Sequence, residues 1–136
     1  MNAQVADLWI AALRSGKYTQ CKNHLCKIRP EGECHCALGV LCEVFLQQNP
    51  MNCVKKYEGI GYDKQGCHGR FVYFSCGSTL PDKIASWAGL KTYDPLLEVR
   101  LCEELKLKEI TYLNDDMGFS FDKIANLIEA QKGSVL

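Results

Sequence analysis

Residues 33–46 read Glu33-Cys34-His35-Cys36-Ala37-Leu38-Gly39-Val40-Leu41-Cys42-Glu43-Val44-Phe45-Leu46, and they set the centre of the fold. The first residues alternate cysteine with histidine, as a short strand or tight loop does, and the rest continue without a breaker into a helical pattern. Leu38, Leu41 and Phe45 form one stripe, while Val40, Cys42 and Val44 make the helix apolar nearly all round. Such a helix is expected at the middle of the core. A glycine inside a helix costs ~1 kcal/mol relative to alanine, so Gly39 predicts a second backbone passing close by. Asn49-Pro50 ends the helix, because proline cannot continue it.

Downstream, residues 53 to 76 change to β chemistry. Two strand-like runs, 53–58 and 70–76, flank the glycine-rich stretch 59–69, which predicts a hairpin with a long irregular tip. Upstream, Val5, Leu8, Trp9, Ala12 and Leu13 recur at helical spacing, so residues 3–15 predict an amphipathic helix stopped by Gly16. Between that helix and the central one, residues 17–31 lack helical periodicity, and Pro30 with Gly32 marks a turn. A loop carrying one or two short strands is expected there. Leu80-Pro81-Asp82 opens a short helix closed by Gly89. Residues 96–101 are expected as a third strand and 107–113 as a short helix, followed by a turn at Asn114-Asp115-Asp116-Met117-Gly118. Ser120 caps a last helix with Phe121, Ile124, Leu127 and Ile128 on its buried stripe. The tetrapeptide Asp-Lys-Ile-Ala at 82 and again at 122 reads as two helix starts, since the flanking residues do not match.

The totals agree with one α+β domain over residues 1–136, helices from both ends and the centre packed around a small antiparallel sheet. With 47% hydrophobic and 24% charged residues the chain has ordinary globular composition, and no run approaches the ~20 apolar residues of a membrane span. The start of the chain lacks the pattern of a signal peptide, so a cytoplasmic location is expected. In that compartment the nine cysteines are expected as free thiols, and an odd count leaves one unpaired in any case. Formal net charge is zero but unevenly spread. Arg14, Lys17, Lys22, Lys27 and Arg29 fall in one segment without an acid, and nine carboxylates gather between Asp94 and Glu129.

Three groups of residues carry chemistry. Cys36 at the start of the central helix invites activation by the helix dipole, with His68 as base, Asn114 or Asp115 as its orienting group and Gln20 as oxyanion donor. The order resembles that of papain-type thiol hydrolases. Against it stands the usual role of free cysteine as a small buried hydrophobe. A zinc site drawn from Cys21, Cys26, Cys34, Cys36, Cys67, His68 and Cys76 is weighed second. No Cys-x2-Cys pair occurs, so no metal and no other cofactor is expected. The basic segment is the third group, with Tyr18, Gln20, Lys22, Lys27 and Arg29 as candidate ligand-binding residues and Asp115 added from the turn. Neither a P-loop nor a Gly-x-Gly-x-x-Gly occurs, so nucleic acid or nucleotide is admitted as a partner but not favoured.

Several segments together carry a resemblance: Ala11-x-Leu13-Arg14-Ser15-Gly16-Lys17-Tyr18-x-Gln20, Cys36-x-Leu38-Gly39-Val40-Leu41-Cys42, Trp87-Ala88-Gly89-Leu90, and Leu113-Asn114-Asp115 with Ser120-Phe121-x-x-Ile124-Ala125-x-x-Ile128-Glu129. In this order they resemble a family of small uncharacterised proteins of bacteriophages, prophages and bacteria. The chain departs from the pattern at Cys21, where the family has glycine, and at His35-Cys36-Ala37-Leu38-Gly39, where it has Cys-Cys-Leu-Gly. The resemblance implies a phage-type accessory protein of the bacterial cytoplasm, with no fixed histidine near position 68. The expected function, read from the polar residues in the basic loop at 14–29 and the turn at Asn114-Asp115, is a non-enzymatic binding module for a host protein or a small anionic ligand. The alternatives are a hydrolase or transferase using Cys36 and a zinc-stabilised structural module.

Overall fold

A computed structural model describes residues 1–51, 54–63 and 66–133, with the backbone alone at 60, 62, 63 and 66–68. Helix α1 (Ala3–Arg14) starts where Asn2 accepts the Val5 N–H, and it buries Val5, Trp9, Ile10 and Leu13. Helix α2 (Ala37–Gln48) is the apolar helix of the quoted stretch, buried from Ala37 through Cys42 and again at Val44 and Phe45. Gly39 has the close neighbour its position predicted. A β-carbon there would lie 1.7 Å from the carbonyl oxygen of Leu25, so backbone meets backbone at van der Waals distance. The Trp9 indole donates to the Ala37 carbonyl at 2.9 Å and fixes α1 against the start of α2.

Five strands form one mixed sheet in the order β1-β3-β2-β5-β4. They are β1 (Thr19–Gln20), β2 (Cys26–Arg29), β3 (Gly32–His35), β4 (Lys55–Asp63) and β5 (Gly66–Tyr73), with β1 parallel to β3 and the other pairs antiparallel. The expected hairpin is present as β4 and β5, and its strands run further into the glycine-rich stretch than the composition predicts. A register shift between Gly59 and Gly61 accommodates that stretch within the ladder.

After α3 (Asp82–Ala88), a second sheet of two strands holds β6 (Leu96–Leu101) and β7 (Glu104–Glu109); residues 96–101 form a strand as expected, but it pairs with β7 and not with the hairpin's sheet. Strand β7 overturns part of the helix expected over 107–113. Leu105 and Leu107 repeat at period two and pair with Arg100 and Glu98, so residues up to Glu109 belong to the hairpin. Only from Ile110 does a helix, α4 (Ile110–Asp115), take over, and it absorbs Asn114 and Asp115 from the expected turn. The outer edge of β6 is not left open, since the Gln131 side chain accepts from the Glu98 N–H and donates to the Glu98 carbonyl, at 2.6 and 2.7 Å.

Helix α5 (Phe121–Gln131) is capped by Ser120, which accepts the Lys123 N–H, and it lies along α1. All of these helices and β6 share one core, with Trp9, Leu38, Leu41, Ile84, Leu97, Ile110, Leu113, Ile124 and Ile128 fully buried. Among the described residues no helix is long and apolar enough to cross a membrane. The architecture is α+β, as the sequence predicts.

Candidate functional site

Strand pairing decides which polar side chains meet. In the β2–β3 ladder Cys26 faces His35 and Ile28 faces Glu33, and period two puts Cys26, Glu33 and His35 on one side of the sheet. That side lies under α2, which contributes Glu43, and next to β4 and β5, where Lys55 pairs with Tyr73. The result is a half-enclosed cluster. The Cys26 thiol donates to Glu33 Oε2 at 3.7 Å, and His35 Nε2 stands 4.0 Å from Glu33 Oε2 and 3.5 Å from Glu43 Oε1. Lys55 Nζ lies between the two carboxylates, 2.7 Å from Glu43 and 3.3 Å from Glu33, and 4.6 Å from the centre of the Phe71 ring.

The electrostatics follow from burial and these contacts. Burial opposes the charge on Glu43, but His35 and Lys55 beside it hold its carboxyl below the usual range. Burial likewise opposes the charge on Lys55, and Glu43 with Cys26 and Glu33 outweighs it, so the ammonium is held above its ordinary value. The two directions agree: the pair is ionised. Burial pushes the Cys26 thiol up to about 12, with Lys55 pulling the other way without cancelling it. Among the described residues, neither ring nitrogen of His35 nor the Tyr73 hydroxyl makes a hydrogen bond of good geometry, although Glu43 Oε1 stands 3.5 Å from His35 Nε2. The Tyr18 ring meets the His35 ring edge-on, 5.2 Å between centroids, and closes the cluster from the side.

The opposite side of the sheet has another character. Lys27 and Arg29 alternate with Cys26 and Ile28, and Lys27 sits directly across from Arg70. Arg70 in turn faces Glu58 and is held by it at 2.7 Å, and Lys56 projects from the same side of β4. Among the described side chains, four cations and one carboxylate thus share a strand face that points away from α2. Near its edge, the ring of His24 is half-buried with Nδ1 unpaired; burial first, then Arg70 and Lys27, hold its pKa below the ordinary value.

The residues singled out in the sequence are distributed between these environments. Cys36 is the N-cap of α2 and 4% exposed. Burial pushes its thiol up to about 12, although the backbone N–H groups of Leu38 and Gly39 favour the thiolate. The dipole argument is physically correct here but smaller than desolvation, so the structure gives Cys36 neither an exposed face nor a thiolate. Asn114, its proposed partner, is buried and uses its whole amide in hydrogen bonds to Gln20, Ala37, Cys21 and Asp115. Gln20 spends its own amide N–H groups on Asn114 and on the Phe119 carbonyl, at 2.8 and 2.7 Å. Asp115 accepts from Asn114 at 2.7 Å. These residues form a tie between elements.

The backbone of His68 lies in β5 opposite Gly61, and its side chain, like that of Cys67, is outside the described residues. Of the basic segment, Arg14 is turned to α5, where it donates to Glu129 and Asn126 at 2.6 Å. Lys22 is exposed, and Lys27 and Arg29 are half-buried on the outer sheet face. The Tyr18 hydroxyl accepts from Gln47 at 3.3 Å, and its ring is committed to His35.

Spacing alone missed the inner cluster, because only Cys26 belongs to the weighed zinc set while its neighbours are Glu33, His35, Glu43 and Lys55. One signal was available: Glu33-x-His35 at period two, in a strand, places both on one face. The pairing with Cys26 and the approach of Lys55 depend on register, which the sequence does not state. No curated protein and no solved structure matches this chain. Residues 1–132 match the family described as Domain of unknown function (DUF8296), and the chain belongs to it.

Proposed function

We propose that the chain is a non-enzymatic binding module that recognises an anionic surface on a host protein through the outer face of its five-stranded sheet. The observation that carries this reading is the register pair Lys27 and Arg70, two cations directly opposite each other, extended by Arg29 and Lys56 on the same face. Like charges in that relationship weaken a sheet, and among the described side chains Glu58 only partly compensates for them. An opposing anionic surface removes the repulsion. A strand face offers area without enclosure, which favours a protein surface over a small anion. The thiol-hydrolase alternative is the weaker one, given the burial of Cys36. The resemblance to phage proteins makes a phage-type accessory role in the bacterial cytoplasm the setting of this proposal.

The test is binding of a poly-glutamate peptide followed by fluorescence anisotropy across a salt series. Lys27→Glu with Arg70→Glu should weaken binding strongly and flatten its salt dependence. Lys91→Glu with Lys106→Glu changes net charge equally, away from this face, and should do little. Equal losses in the two double variants would reduce the effect to net charge and end the proposal.

A further inference from the structure

His35 poses a specific problem of chemistry. Its side chain is 4% exposed, neither nitrogen makes a hydrogen bond of good geometry among the described residues, and Nε2 stands 3.5 and 4.0 Å from two carboxylates. One ligand atom each from Cys26, Glu33 and His35 lie within 4.8 Å of one another. We propose that these three residues bind a divalent transition-metal ion of the zinc class, with Lys55 as the built-in cation that the metal displaces from Glu33.

The donor set is the first support. A thiolate sulfur, an imidazole nitrogen and a carboxylate oxygen are the ligands that zinc and its spectroscopic substitute cobalt prefer, whereas calcium and magnesium require oxygen. Geometry is the second. Ligands about 2.0–2.3 Å from a tetrahedral ion stand roughly 3.3–3.7 Å apart, and the sulfur–oxygen separation here is 3.7 Å. All three come from the β2–β3 hairpin, whose ladder holds them in register. The third support is the surroundings: Tyr18 packs edge-on against the imidazole and fixes its plane, and a further carboxylate, Glu43, lies 3.5 Å from His35 Nε2.

Lys55 explains how the cluster tolerates two carboxylates when no metal is bound. Its ammonium lies between Glu33 and Glu43, and its side chain is one-fifth exposed, so it can leave Glu33 for Glu43 and solvent. The exchange balances. The thiol proton of Cys26 goes to solvent, the thiolate and the Glu33 carboxylate take the dication, and one proton is released for each ion bound.

Titration of the intact protein with Co²⁺ and Zn²⁺ tests this, read by cobalt–thiolate absorption and by calorimetry in two buffers of different ionisation enthalpy. The expected result is one ion per chain, about one proton released, and a thiolate–cobalt band that disappears in Cys26→Ser. Lys55→Met removes the competing cation and should tighten binding by about tenfold or more, the scale on which groups next to a ligand act. That variant keeps all three ligands, so its readout does not depend on a ligand substitution that disturbs folding. A band that survives Cys26→Ser, stoichiometric binding that is absent in the wild type, or an affinity that Lys55→Met leaves unchanged would each overturn the assignment.

Discussion

The side-chain oxygen of Asn114 accepts the backbone N–H of Ala37 at 3.2 Å, across 77 residues of sequence. Ala37 is the first residue of α2, whose N-cap, Cys36, makes no side-chain cap of its own, so a residue of α4 caps the central helix from outside. The same oxygen accepts from Gln20, and the amide nitrogen donates to the Cys21 carbonyl and to Asp115. An asparagine amide has two donors and two acceptor lone pairs, and all four are in use. Strand β1, helix α2 and helix α4 are joined at this one side chain. A candidate for catalysis in the sequence is thus a structural tie in the fold.

Replacing Asn114 by alanine leaves the Ala37 N–H and the Cys21 carbonyl buried without partners. Each such group costs about 1–3 kcal/mol, so a loss of about 2–6 kcal/mol is expected, a large part of the stability of a domain this size. Asn114→Asp keeps the oxygen but loses both donors and is expected to be nearly as damaging. Urea unfolding followed by circular dichroism measures both. A change below about 1 kcal/mol in the alanine variant would remove the tie from the account.

Cys36 is predicted to be chemically inert. With its thiol pushed up to about 12 by burial, it carries almost no thiolate at neutral pH, whereas Cys102 lies exposed in the turn between β6 and β7. Iodoacetamide labelling of the native protein, mapped by mass spectrometry, should find Cys102 modified well before Cys36. Fast modification of Cys36 would revive the nucleophile reading.

How much of this was legible depended on whether the information was local. The helices could be read because Val5, Trp9 and Leu13, or Ile124 and Ile128, repeat at the helical period within one segment, and Gly39 announced a close approach even though Leu25 could not be named as its partner. The helix expected at 107–113 absorbed a strand because Leu107 and Ile110 fit spacing three as readily as Leu105 and Leu107 fit spacing two, and only pairing with β6 decides between them. Lys27 and Arg29 were visible as cations, but their neighbours Arg70 and Lys56 arrive through strand order. The inner cluster was hidden for the same reason. Lys55 reaches Glu43 because β4 runs beside the central helix, and nothing in residues 43–55 states that.

Gly39→Ala should be among the most damaging single substitutions. The added methyl would stand 1.7 Å from a backbone oxygen, and neither α2 nor the Leu25 segment can move without disturbing the Asn114 tie or the β2 ladder. A loss above about 3 kcal/mol, or failure to accumulate as folded protein, is the expected outcome. Gly59→Ala is the control, since among the described residues its β-carbon would meet only the Tyr57 hydroxyl at 3.8 Å, an ordinary contact. Similar unfolding midpoints for the two variants would contradict the close approach.

Asp94 gives the chain a pH dependence of definite sign. Burial lifts its carboxyl above the ordinary value, with Glu109 and Asp115 adding to the lift, while hydrogen bonds from the Thr111 N–H and hydroxyl oppose it without cancelling it. The folded state therefore keeps a proton at a pH where the unfolded chain has released it. Between the unfolded value near 3.8 and the raised folded one, the unfolded chain binds fewer protons, and stability must fall as pH rises. Asp94→Asn cannot ionise, and its side-chain oxygen still accepts the Thr111 N–H at the start of α4. The stability of the wild type minus that of Asp94→Asn, measured by urea unfolding at successive pH values from acid to neutral, should decline through that window and then level off. A difference that grows with pH would mean that the Thr111 hydrogen bonds outweigh burial and that this carboxylate stabilises α4 as an anion.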